Sequence, residues 1–167
     1  TNYPITVLRR MSRNFGELQG ADIAFISDLP QAAGLSSSSA FMISIFLSIA
    51  TRNNLFSSRL YKSNINTDLD LAAYLGTIEN GQNYGVLLGD RGVGTFGGSE
   101  DHTAIICSSP NKLSQFAYCP ARLEKQIELS SEFVFVLGFS GVTAEKTGTA
   151  RAQYNRAALQ VTSLVEI

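Results

Sequence analysis

Residues 28–41 read Asp-Leu-Pro-Gln-Ala-Ala-Gly-Leu-Ser-Ser-Ser-Ser-Ala-Phe: an acid and a proline that stop a strand, a glycine that turns the chain, and four serines in a row. The segment before it, ADIAFISD at 21–28, is β-branched and aromatic and predicts a strand. The segment after it, Ser36 to Thr51, predicts a helix that is apolar nearly all round and therefore buried. One serine is enough to cap a helix, and four before a buried helix exceed that need. A helix start leaves backbone N–H groups unpaired at the positive end of the dipole, which suits a phosphate. The hydroxyls of Ser36 to Ser39 add donors and one oxygen for Mg²⁺. No Gly-Lys-Ser/Thr follows the turn, so it is not a P-loop. No Gly-x-Ser-x-Gly occurs anywhere, so no nucleophile elbow is present.

Downstream, TDLDLAAYLGTIEN at 67–80 predicts a second helix, with Thr67 and Asp70 as a capping box and Leu71, Tyr74, Leu75 and Ile78 on one face. Six glycines within 85–98 predict a loop. Gly92 to Gly97 satisfies G-x-G-x-x-G, but a dinucleotide fingerprint needs a strand before it and a helix after it. The segment that follows, EDHTAIICS, reads as a turn into a strand, so we read the loop as one that lets backbone approach a ligand. Thr103–Cys107, Gln115–Tyr118 and Phe133–Gly138 predict strands, and Glu145 to Ile167 predicts a helix. The order β-α-α-β-β-β-α predicts an α+β fold, with helices packed on a mixed or antiparallel sheet and one domain over residues 1–167.

Composition narrows the function. At 44% apolar and 16% charged residues the chain can bury a core and is not a disordered tail. Thirteen basic against fourteen acidic residues, with no basic run, argue against an electrostatic grip on nucleic acid. Two cysteines, Cys107 and Cys119, make neither a disulfide framework nor a four-ligand zinc site. The longest apolar stretch, 40–50, is about half of the roughly 20 residues a bilayer span needs. No signal-peptide core opens the chain, and a cytoplasmic setting is expected. With no initiator Met and a last helix still in progress, a piece of a larger protein is also expected.

Three acidic residues stand where chemistry is possible. Glu100 and Asp101 follow two glycines. On a surface turn such acids are solvated and inert, but beside a phosphate one of them serves as a general base or metal ligand. Glu79 ends the second helix, where a carboxylate opposes the dipole. It is either exposed or a cation ligand, if that helix end faces the serine turn. His102, the one histidine, is of a kind that is more often structural than catalytic.

These pieces, in this order, resemble the GHMP kinases, the superfamily of galactokinase, homoserine kinase, mevalonate kinase and phosphomevalonate kinase. The family's Pro-x3-Gly-Leu-Ser/Gly-Ser-Ser motif is matched by Pro30, Gly34, Leu35, Ser36, Ser37 and Ser38. Ile78-Glu79-Asn80 followed by Gly98-Ser99-Glu100-Asp101-His102 resembles the galactokinase branch, as does FVFVLGFSG at 133–141. The likeness covers about residues 20–167. It implies a ribosomal-protein-S5-like lobe and an enzyme that uses ATP and Mg²⁺ to phosphorylate a small-molecule hydroxyl, on a sugar in that branch. By the same resemblance Ser36 to Ser39 would wrap the ATP phosphates, and Ser38 and Glu79 would hold Mg²⁺. Asp101 would accept the proton of the substrate hydroxyl. The sequence departs from the family at Gln31-Ala32-Ala33, where glycine is usual, and at Glu100 and His102, which stand for an apolar residue and a glutamine. Nothing in residues 1–20 resembles the segment with which galactokinases read their sugar, and the glycine-rich third motif is missing. The rivals are a kinase of an isoprenoid or amino-alcohol substrate, and a catalytically silent sugar or nucleotide sensor. A sensor has no need of the base at Asp101.

Overall fold

A computed structural model describes residues 2–30, 33–118, 120–138, 140–142 and 150–165. Its elements run α1 (Tyr3–Phe15), α2 (Ser37–Arg52), a 3-10 turn (Leu55–Ser57), α3 (Arg59–Lys62), α4 (Asp68–Asn80), α5 (Glu100–Cys107), β1 (Lys112–Ala117), β2 (Arg122–Glu128) and α6 (Arg151–Val165). The fold is α+β, with a helical core and a small antiparallel sheet.

α2 and α4 carry the core. Gly34 (φ 76°) and Ser36 (φ 54°) turn the chain left-handed into α2, which buries Met42, Ile43, Ile45, Phe46, Ile49 and Ala50. α4 starts on a complete capping box: Asp70 N donates to Thr67 Oγ1 at 3.1 Å and Thr67 N donates to Asp70 Oδ2 at 2.9 Å. It ends at Gly81, whose φ of 86° is the left-handed position that glycine fills without strain. Tyr74 of α4 is fully buried and meets Phe15, Phe46 and Tyr84 edge-on. Burial pushes its hydroxyl's pKa upward.

α1 is a helix that the sequence reading left out. Asn2 Oδ1 accepts from Ile5 N at 3.1 Å, Pro4 lies in the first turn, and Gly16 ends the helix. Its buried face is Thr6, Val7, Arg10, Met11 and Asn14, which is helically spaced but only partly apolar. The Arg10 guanidinium is fully buried, donating to Asn14 Oδ1 (2.8 Å), Thr77 Oγ1 (3.1 Å) and Gln82 O (2.7 Å), and it lies over the Tyr74 ring. One side chain thus ties α1 to the C-terminal end of α4.

Three expected strands are corrected. Residues 21–28 and 133–138 form no strand, because neither run has a pairing partner among the described residues. Thr103–Cys107 is not a strand but the second half of α5, set by Ser99 at the N-cap and the acids Glu100 and Asp101 in the first turn. Residues 115–117 of the expected strand at 115–118 fall in β1, Tyr118 is already in the turn, and β2 was not anticipated. β1 and β2 pair antiparallel from Lys112↔Glu128 to Ala117↔Arg122. Every residue of β2 is exposed, so the helices pack on one another and not across a sheet. The last helix covers 151–165 of the expected 145–167. Residues 145–149 and 166–167 of that reading, together with Gln31, Ala32, Cys119 and Phe139, lie outside the described residues, and Ala150 is a turn ahead of the helix.

Candidate active site

Three elements converge where the sequence placed its candidates. α5 approaches α4 closely because Gly76 has no side chain: a Cβ there would lie 2.9 Å from Ser99 Cβ. Glu79 is one turn further along α4. Its carbonyl accepts from Val93 N at 2.8 Å, and Asn80 Nδ2 donates to Gly97 O at 2.9 Å, so the glycine loop is fastened to the end of α4. That fastening delivers the chain from the loop into Ser99 and the first turn of α5.

The serine turn meets these carboxylates from α2. Ser39 Oγ lies 3.4 Å from Glu79 Oε2 and 3.5 Å from Asp101 Oδ2, at the long limit of a hydrogen bond. Ser39 is fully buried, Glu79 is 12% exposed, and His102, also buried, places Nε2 3.7 Å from Glu79 Oε2. A hydroxyl, two carboxylates and an imidazole therefore face one another across three helices. The first intrahelical bond of α2 is Ala40 N to Ser36 O at 3.0 Å, and the Ser36 side chain makes no capping bond. Ser36, Ser37 and Ser38 are half-buried at this start, and Gly34 is exposed.

Asp101 also faces outward. With Glu100, Ala104, Ser114, Phe116 and Tyr118 it lines a cleft of about 370 Å³ between α5 and β1. Phe116 and Tyr118 contribute aromatic surface, and Ser114 and Glu100 contribute hydrogen-bonding groups. This cleft was invisible to the sequence reading, because β1 had not been placed beside Asp101. Pro30 is exposed and Leu35 half-buried on either side of the turn. Burial, and Asp68 after it, push the Cys107 thiol upward, which makes it a poor nucleophile.

The chain thus turns at a glycine into a helix without a side-chain cap, and two carboxylates lie opposite its first turn. The GHMP kinases N terminal domain family matches residues 2–98, more than half of the chain, and the chain belongs to that family of ATP-dependent small-molecule kinases. No curated protein and no solved structure matches it significantly. The matched span holds the serine turn, Glu79 and the glycine loop, and α5 with Asp101 follows directly after it.

Proposed function

We propose that this chain is the ribosomal-protein-S5-like, phosphate-binding lobe of a galactokinase-like enzyme that transfers phosphate from ATP to a sugar hydroxyl. The observation that carries this reading is the double position of Asp101. Its carboxylate lies against Ser39 at the helix start and lines the α5–β1 cleft. A base for phosphoryl transfer has to reach both reactants, and Asp101 has access to both places.

The helix start of α2 holds the β- and γ-phosphates, with the N–H groups of Ser36 to Ser39 and the hydroxyls of Ser36 to Ser38 donating and Pro30, Gly34 and Leu35 shaping the turn; the Ser39 hydroxyl, expected to join them, is turned to the two carboxylates instead. Mg²⁺ fits the donor set, since a hydroxyl and carboxylates are hard oxygens and Mg²⁺ keeps water and substrate phosphates as its remaining ligands. Glu79 and Ser38 would hold it, and when bound it neutralises phosphate charge. Ser39, fully buried, positions Glu79 and Asp101 through its one hydroxyl proton. The acceptor occupies the cleft, with Phe116 and Tyr118 against its apolar face and Ser114 and Glu100 against its hydroxyls. Its hydroxyl oxygen attacks the γ-phosphorus, the bond to the β–γ bridging oxygen breaks, and the hydroxyl proton passes to Asp101. We place the enzyme in the cytoplasm, with residues 1–167 as one domain of it and the remainder of the kinase chain as its partner, and read no nucleic-acid or membrane partner. Among the described residues no helix is long and apolar enough to cross a membrane.

The test is ATP consumption by the full-length protein against a panel of free sugars, amino alcohols and isoprenoid alcohols, with the product read by ³¹P NMR. A sugar phosphate is expected. Turnover with an amino or isoprenoid alcohol alone moves the enzyme to another branch. Nucleotide binding without any turnover makes the chain a sensor.

A further inference from the structure

A cleft larger than the one beside Asp101 lies against the glycine loop. Its volume is about 510 Å³, and Asn2, Thr6, Arg9, Arg91, Gly94 and Arg151 are among the residues that line it. Three guanidinium groups from three separate parts of the chain converge here: Arg9 from α1, Arg91 from the loop and Arg151 from the first turn of α6.

Among the described residues only one of the three is neutralised. Arg9 Nε donates to Asp90 Oδ2 at 2.6 Å, and the other oxygen of Asp90 accepts from Gly92 N at 2.9 Å, so this carboxylate is fully engaged. Arg91 and Arg151 have no ion pair among the described residues. Two uncompensated guanidinium groups on one wall repel each other, and an arginine in the first turn of a helix opposes its dipole as well. Arg151 is nevertheless held there. Asn155, one turn on, donates to Gly94 O at 2.8 Å and accepts from Phe96 N at 3.0 Å, so α6 is locked to the loop. Gly94 (φ 91°) brings its backbone to within reach of the Arg151 guanidinium, which a Cβ would meet at 3.3 Å. An oxyanion between Arg91 and Arg151 resolves the repulsion, satisfies the dipole and uses the forked donors for which arginine suits phosphate.

We propose that this cleft is a second anion site, distinct from the serine turn, that takes the dianionic phosphate group of a small phosphorylated molecule. Its charge matches: three arginines less Asp90 leave two positive charges for a phosphate monoester. The loop that forms its wall is also fastened to Glu79, through Val93 N and Glu79 O. The proposal does not depend on which acceptor the enzyme phosphorylates, nor on nucleotide binding at the serine turn.

The test is a titration of the ¹⁵N-labelled chain with inorganic phosphate and, separately, with a sugar monophosphate, following backbone amides and arginine Nε resonances. Saturable shifts of Val93, Gly94 and the arginine Nε signals are expected with either probe. Tighter binding of the sugar monophosphate identifies a phosphorylated metabolite as the occupant, and equal binding identifies free phosphate. Arg91→Gln and Arg151→Gln, both at exposed side chains, should each weaken the affinity about tenfold or more, and Arg151→Lys should retain part of it. Shifts confined to residues 34–40, shifts that never saturate, or unchanged affinity in both glutamine variants would overturn the site. Failure of the kinase reading shows itself separately, as absent shifts at 34–40 with Mg²⁺ and a nucleotide.

Discussion

Gly76 decides how near α5 comes to α4, and through that where Asp101 stands relative to Glu79. Gly76→Ala adds a Cβ 2.9 Å from Ser99 Cβ, closer than two carbons can sit, so the first turn of α5 has to move. Alanine favours a helix over glycine by about 1 kcal/mol, which offsets part of the overlap. The expected outcome is a melting temperature within a few degrees of the parent but ATP turnover reduced at least tenfold, because the base is displaced. Equal turnover would show that this approach does not set the site. Ser39→Ala acts differently. It strips a buried hydroxyl from between two carboxylates, and we expect a loss of about 1–3 kcal/mol in denaturant unfolding. Of the site, the acids and the serines were legible in residue type and order. That the fully buried hydroxyl is Ser39 was not, because it depends on which side of α2 meets α4.

At the scale of elements, capping and ion pairing set the acid limit. Burial pushes the Asp70 carboxyl upward, but the hydrogen bonds from Asn66, Thr67 and Tyr84 outweigh it and hold it below its usual range. Asp90 behaves alike: burial raises it, and the Arg9 and Gly92 hydrogen bonds bring it below the ordinary value. A carboxylate lowered by folding contributes stability above its unfolded pKa of about 3.9, and that contribution is lost as pH falls through the folded value. Urea midpoints should therefore be level from pH 7 to about 5 and fall below about pH 4, less steeply in Asp70→Asn. Thr67→Ala removes the other half of the capping box and should cost about 1 kcal/mol at pH 7. α4 was legible because its cap and its apolar face agree. α1 was not, since Thr6, Arg10 and Asn14 fill a face where the reading looks for apolar residues. Thr103–Cys107 was misread because a short β-branched run fits either state, and the start signal at Ser99–Asp101 outweighs it.

For the whole molecule, the helical core is closed while residues 133–137 are not. Phe133, Val134, Phe135, Val136 and Leu137 are between 59% and 88% exposed. Their composition reads as a strand, and the reading failed because a strand needs a partner, which the described residues do not offer. Such a run is expected to make the chain self-associate. Light scattering should show association rising with concentration, and Val134→Lys with Val136→Lys should reverse it without lowering the melting temperature. The site itself rests on elements inside the closed core, so its chemistry can be tested directly. The decisive measurement is ATP turnover and nucleotide affinity of Asp101→Asn in the full-length enzyme beside its parent, with Mg²⁺ and the best acceptor. Asparagine keeps the shape of the side chain and cannot take the proton, so kcat should fall by about 10²–10⁴ while nucleotide affinity stays within about threefold. A near-normal kcat would contradict the account, because Asp101 would then not be the base that serves both the phosphate turn and the cleft.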